Sequence, residues 1–509
     1  MQITSLSEFT RLGEKHRIVP VYATVLADNE TPLSVYRKIT RGNPGEFLLE
    51  SASNGAWSRY SFVGRNPLAT ITADNNGEVV WLGEVPEGAP THGDPLEVVQ
   101  DVLELLHAAP HPSLPPMISS LVGYLGWDII RRIEKLGPSP LREDPLPELS
   151  MSIPGDVVIV DHYTNELTLV ANVVNVNGEN SGIEAAYQRG VERVERLLED
   201  ISAPSDLCLT VHSRPAPEVT YRTAREDYLA AINEAKKRIV DGDIFQVVLG
   251  QRFDMDVDAT PLDVYRMLRN TNPSQFMYIM NMPGVDGEDF SVIGSSPEAL
   301  VTVKGSTVVT HPIAGSRPRG TTDAQDAALA RELLADEKER AEHLMLVDLA
   351  RNDLAKVCTP GSVDVVEYME IERYSTIMHI GSTVTGQLRD GVTGVDVVKA
   401  TFPAGTLSGA PKPSALRIID ELETVSRNVY GGVVGYMSFA GDLDLAIAIR
   451  TGVMRAGRLT VYAGAGIVAD SDPDSEFMES KNKAASVLNA AAAANTLESV
   501  VRGPQEESE

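Results

Sequence analysis

A chain of 509 residues, 43% of them hydrophobic, can bury a core too large for one small domain, so two lobes are expected. A formal net charge of −28 weighs against DNA or RNA binding, where Lys and Arg must neutralise phosphates, and against anionic membrane surfaces. Two cysteines, Cys208 and Cys358, cannot build a disulfide framework; with no basic leader and no run of about 18 apolar residues, the chain reads as soluble and cytoplasmic.

Residues 1–205 read as a strand-rich N-terminal domain. Val157–Val160 and Leu167–Val170 flank a turn at 163–166, a hairpin pattern. Ala186, Val191, Val194 and Leu197 then recur near helical spacing within 183–201. Pro- and Ser-containing stretches near 203–205 and 213–218 mark a linker. Residues 219–495 form the second domain. Thr223 and Glu226 have capping-box spacing, the stripe Tyr228, Ile232, Ala235, Ile239 follows, and Gly242 suits the stop. A strand is expected at 244–253 and a hairpin at 300–303 and 307–310. Helices are expected at about 326–352, 394–401 and 412–423, strands at 433–439, 445–454 and 459–464, and a last helix at 475–495. The polar tail, 496–509, is expected to lack order. Strands and helices mix without βαβ alternation, which argues for an α+β (layered α/β) plan, with sheets central and helices outside.

Glu339 and Glu342 stand three apart in one expected helix, and Glu476 and Glu479 in another, so each pair shares a face. Such carboxylates suit a hard cation, which takes oxygen ligands and keeps several waters. They would equally suit a solvated helix face. Phe402–Lys412 is a small-residue turn opening a helix, a shape that binds carboxylates or phosphates or simply turns the chain. Val461–Ile467 is a glycine-rich strand end. Arg450 closes the apolar run 445–449; inside a cleft it would clamp a carboxylate, and outside it would be a surface residue. No Ser-His-Asp or Cys-His nucleophile is signalled, and both cysteines suit small core positions.

Several of these segments occur together and in order: Ser296-Pro297-Glu298, Pro312 to Gly320, Asp336 to Glu342, Leu346 to Asp353, Phe402 to Lys412, Tyr462 to Gly466 and Glu476 to Lys483. Over about 226–490 the chain resembles the chorismate-utilising enzymes, a group that includes anthranilate synthase component I, aminodeoxychorismate synthase component I, and isochorismate and salicylate synthases. The resemblance implies a two-lobed fold, Mg²⁺ as cofactor and chorismate as substrate. It places Glu342 and Glu479 on the metal, with Glu339 and Glu476 behind them. It places Gly315, Ser316, Tyr430, Arg450, Gly464, Ala465 and Gly466 on the substrate. Glu298 would be the general acid, and His379 would assist the second step. Leu48 to Ser51 matches the segment that holds feedback tryptophan, so Glu50, Ser51, Gln275, Phe276 and Met277 are expected to line a tryptophan site, although relatives commonly have Pro-Tyr-Met at 275–277.

Two positions separate the branches. Water-activating relatives use a Lys where this chain has Gln246, which has no useful basicity. Aminodeoxychorismate synthases typically carry Lys where this chain has Ala314. Both point to ammonia as nucleophile and anthranilate as product, a carbon–oxygen lyase reaction that releases pyruvate and opens tryptophan biosynthesis. Ser316 stands where the family usually has Thr, and the hydroxyl is kept. No amidotransferase segment is present in the sequence, so a glutamine amidotransferase subunit is the expected partner, in a hetero-oligomer. Aminodeoxychorismate synthesis and a non-catalytic chorismate or tryptophan sensor are the alternative readings.

Overall fold

The computed structural model describes residues 2–52, 59–110, 114–137, 139–174, 182–204, 209–374 and 377–500. The β-branched runs of the N-terminal part become long strands, including Tyr60–Ala73, Leu149–Asp161 and Glu166–Val174. The expected hairpin is present: Val157 stands opposite Val170, and Asn165 turns the chain at φ 56°. The helix behind it, Ile183–Ser202, buries Val194, Leu197 and Ile201.

Strands from both parts of the chain join one antiparallel sheet of 21 strands, giving an α+β fold. One run of six neighbours matters most. Phe47–Glu50 pairs with Phe276–Met282, and Met277 stands opposite Glu50. Phe276–Met282 pairs with Phe290–Ser296, which pairs with Thr451–Arg455. Thr451–Arg455 pairs with Arg458–Ile467, which pairs with Gln246–Asp256. The expected linker, marked at 203–205 and 213–218 and lying partly outside the described residues along with Cys208, therefore separates no sheets. The apolar clusters confirm this mixing: one joins Val35 and Val194 to Phe253 and Val487. Cys358 is buried in another.

Four local expectations are corrected. Thr223 is not a helix cap: the helix is Arg225–Val240, its N-cap Ala224 makes no side-chain bond, and the Thr223 hydroxyl lies 3.5 Å from Thr424 Oγ1 instead. Gly242 does lie just past that helix, at φ +87°. The helix expected at 326–352 is two helices, Asp323–Ala335 and Glu337–Ala355. Asp336 breaks them because its carboxylate accepts the N–H groups of Lys338 and Glu339, offering the backbone an alternative to continued helix. The strand expected at 445–454 is Leu443–Ile447 and Thr451–Arg455, interrupted where Arg450 takes φ 49°. In the tail, Glu498–Ser499 forms a short strand against Thr210–Val211; residues 501–509 lie outside the described residues.

Candidate active site

The end of the six-strand run forms one wall. Gly464, Ala465 and Gly466 stand opposite Gly250, Leu249 and Val248. Gly466 leaves room for the Gln246 side chain: a Cβ there would come within 2.6 Å of the Gln246 amide nitrogen. That nitrogen donates to Glu342 Oε1 at 3.2 Å. Gln246 thus ties the glycine-rich strand to the first carboxylate helix.

Capping sets the carboxylates. The Asp336 cap begins Glu337–Ala355, so Glu339 and Glu342 follow within two turns. The Asp472 side chain accepts from Ser475 N and begins Pro473–Ala494, which places Glu476 and Glu479 likewise. Burial, then the charges of Glu342 and Asp336, push the Glu339 carboxyl up. Burial pushes the Glu476 carboxyl up as well, with Glu479 adding to it. Lys338 acts on Glu476, so the two helix starts face each other. Glu479 pairs with Lys483 at 2.6 Å, and Lys483 also donates to Gly464 O. Among the described residues no three His, Cys, Asp or Glu side chains close a metal site by themselves. Glu339 and Glu476, pushed up by burial and by a neighbouring carboxylate, belong to a set of four carboxylates that a hard divalent cation would suit.

Arg450 is held in the left-handed region between two strands, and its carbonyl accepts from Ser295 N. Its guanidinium makes no hydrogen bond or ion pair with the described residues, yet burial lowers its pKa while Tyr430, Glu479 and Glu298 act on it. A desolvated, unpaired guanidinium is a site for an anion, bound through its planar fork. Tyr430 lies beside it, stacked on Tyr462 with ring centres 5.3 Å apart, its hydroxyl near the Gly464 backbone and pushed up to about 12 by burial.

Glu298 follows the Phe290–Ser296 strand. Burial pushes its carboxyl up to about 7, against the opposing pull of Thr406, His311, Lys483 and Arg450. Thr406, in the turn ahead of the Lys412–Leu422 helix, donates to Glu298 Oε1 at 3.1 Å. A carboxyl in that range can give a proton at neutral pH. Opposite, Gly315 takes φ +65°, and a Cβ on it would stand 3.0 Å from Glu339 Oε2. Its carbonyl accepts from His379 Nδ1 at 2.8 Å. Burial lowers the His379 pKa, so the ring is neutral and its Nε2 keeps a lone pair.

The structure therefore brings together Glu298, Arg450, Tyr430, Gly464–Gly466, the four carboxylates, Gly315 and His379. Ser316 is exposed on the bulge between Ala314 and Arg317. Sequence reasoning missed Thr406 as the partner of Glu298. It also missed His311, which shares a small cavity with Glu298. His311 directly precedes the Pro312 motif, but nothing in the sequence says what it faces. Glu50, Ser51 and Gln275–Met277 form a separate group, gathered by the pairing of their strands. Glu50 is buried and accepts from Tyr265 and twice from Arg269, each at 2.7 Å.

The chorismate binding enzyme family model matches residues 12–489. The chain belongs to the chorismate binding enzyme family. Two relatives named anthranilate synthase component 1, from Arthrobacter globiformis and from Mycobacterium tuberculosis, are each 51% identical to it; the match covers 97% of this chain and 94% and 96% of theirs. Among solved structures, anthranilate synthase component I from Streptococcus pneumoniae superposes with a TM-score of 0.73 at 35% identity, covering 91% of this chain and 99% of that one. The menaquinone-specific isochorismate synthase of Escherichia coli shares the family fold, with a TM-score of 0.70 at 19% identity. No helix among the described residues is long and apolar enough to cross a membrane.

Proposed function

We propose that this chorismate binding enzyme is the synthase component of an anthranilate synthase, converting chorismate and ammonia to anthranilate, pyruvate and water. The observation that carries the reading is the meeting of the unpaired Arg450, the neutral-range acid Glu298 and the non-basic Gln246 in one cleft. Relatives of the same name along nearly the whole chain support it.

Arg450 and Tyr430, with the Gly464–Gly466 backbone, hold the enolpyruvyl carboxylate. Glu342 and Glu479 would hold Mg²⁺ with the ring carboxylate of chorismate, Glu339 and Glu476 keeping its waters. When bound, the ion supplies charge neutralisation and a fixed orientation for that carboxylate. Ammonia attacks C2 while Glu298 gives its proton to the departing 4-hydroxyl, which leaves as water. The attacking nitrogen sheds a proton to solvent; His379 Nε2 then takes the C2 proton as the C3–O bond breaks, the enolpyruvate leaves and takes up a proton at its methylene carbon to become pyruvate, and the ring becomes aromatic. Gln246 offers no base for water, which disfavours hydroxylation at C2.

Ammonia comes from glutamine through a separate amidotransferase subunit. Glu50, Ser51 and Gln275–Met277 form the feedback tryptophan site. Purified chain with chorismate, Mg²⁺ and ammonium at alkaline pH should generate anthranilate fluorescence. Chromatographic identification of 4-amino-4-deoxychorismate or isochorismate as the product would overturn the reading. Glutamine alone should give no product until the partner subunit is added.

A further inference from the structure

His311 and Glu298 lie on the wall of one small cavity of about 60 Å³, closed by Pro312, Leu346, Ala404 and Thr406. The hydrogen bonds around His311 fix its protons. Thr383 donates its only hydroxyl hydrogen to Glu367 Oε2 at 2.5 Å. Thr383 Oγ1 can then only accept from His311 Nδ1, 2.9 Å away. On the other side, His311 Nε2 lies 2.5 Å from Glu372 Oε1. The second oxygen of Glu372 accepts from Tyr374 OH at 2.8 Å. An ionised carboxylate accepts only, so Nε2 also carries a proton. Both ring nitrogens are donors, so the ring is an imidazolium, half-buried with 31% of its side chain exposed.

We propose that His311, held as a half-buried imidazolium by Glu372, is a positioning residue that sets the pH range over which Glu298 can donate its proton. The proposal rests on the acid role assigned to Glu298; the imidazolium itself does not.

The charges around the pair agree. Burial alone would strip the His311 proton, but the Glu372 hydrogen bond and the charges of Glu372, Glu367 and Glu298 outweigh it and raise the ring's pKa. His343, also nearby, is buried, and its pKa is lowered to about 4, so it adds no competing charge. Around Glu298 stand Thr406, His311, Lys483 and Arg450. Asp353 lines the same cavity but is paired with Lys412 at 2.6 Å and Lys356 at 3.0 Å. Lys483 is committed to Glu479, and Arg450 would be consumed by a bound carboxylate. His311, its charge held by Glu372, opposes the burial that raises Glu298 whether or not substrate is in place. Tyr374 meets the edge of His379 at 5.7 Å, so the same network also borders the second-step base.

Two measurements test this. In histidine-selective ¹⁵N spectra of the wild-type chain at pH 8, one ring should show two protonated nitrogens, and it should be missing in His311→Gln. If none of the nine histidines is doubly protonated at pH 8, the proposal is overturned, whatever reaction the protein catalyses. In ammonia-dependent turnover, expressed per free ammonia, the alkaline limb of kcat should move up by about one pH unit in His311→Gln and in Glu372→Gln, because each removes the cation beside the acid. A limb that stays in place, with turnover kept or lowered, overturns the proposal. If His311→Gln does not fold, Glu372→Gln and the wild-type spectrum decide. A wild-type chain that makes no anthranilate refutes the proposed function but leaves the spectrum as an independent answer.

Discussion

At the scale of single residues, Glu298 and Arg450 share one physical strategy, an ionisable group desolvated without full compensation. Burial raises Glu298 to about 7, above its ordinary value of 4.5, so the native state binds that proton more tightly than the unfolded chain does. The associated stability is present below about 4.5 and is lost as pH rises through about 7. Glu298→Gln should therefore melt at a higher Tm than wild type at pH 8, with the gap closing by pH 4.5, while kcat falls about 10²- to 10⁴-fold. Calorimetry across pH and a turnover assay check both halves. A Tm at pH 8 below that of wild type would deny that burial is uncompensated. Arg450→Lys keeps a charge but loses the fork, so kcat/KM for chorismate should fall about 10- to 100-fold, most of it in KM. Steady-state kinetics with saturating ammonia would show the split. Both residues were visible in the sequence, but only folding shows that the Arg450 guanidinium has no partner among the described residues and that the surroundings of Glu298 favour its neutral form.

At the scale of elements, the Gln246–Asp256 strand and the end of the Lys412–Leu422 helix are joined by one buried ion pair, with Gly250 N donating to Glu423 Oε1. Arg427 and Glu423 have side-chain exposures of 1% and 3%. Arg427 also donates to Leu407 O and Val248 O and lies 4.1 Å over the Trp127 ring. Removing one member leaves the other charged and buried, so Glu423→Ala should cost about 3–5 kcal/mol, readable by urea unfolding. A loss under about 1 kcal/mol would mean that the pair is dispensable. The sequence gives little sign of this lock, because the partners of Arg427 come from positions 127, 248, 407 and 423. The hairpins and amphipathic helices were legible, since periods of 2 and 3.6 are local properties. The breaks at Asp336 and Arg450 were not. In both places a side chain or a backbone twist overrides a continuous pattern, and in both the break aims a site residue: Glu339 in one case, Arg450 itself in the other.

At the scale of the whole molecule, strand pairing carries a mechanical link from the proposed tryptophan site to the cleft. Glu50 stands opposite Met277, Met277 opposite Ser295, and Ser295 N donates to the Arg450 carbonyl at 3.1 Å. The strand holding Ser295 continues directly into Pro297 and Glu298. A ligand wedged beside Glu50 and Met277 therefore bears on the backbone that sets both the anion clamp and the acid. Ser51 is placed to take part: its hydroxyl is buried and makes no hydrogen bond with the described residues, next to a Glu50 carboxylate already committed to Arg269 and Tyr265. An unsatisfied buried hydroxyl costs stability, so Ser51→Ala should fold as well as wild type or better. If that hydroxyl is reserved for tryptophan, the same change should raise the concentration for half-inhibition about 10-fold and leave ammonia-dependent kcat unchanged. Inhibition curves with and without the substitution decide it. Unaltered inhibition would move the tryptophan contacts away from Ser51, and a fall in uninhibited kcat would mean that the strand link works even without ligand.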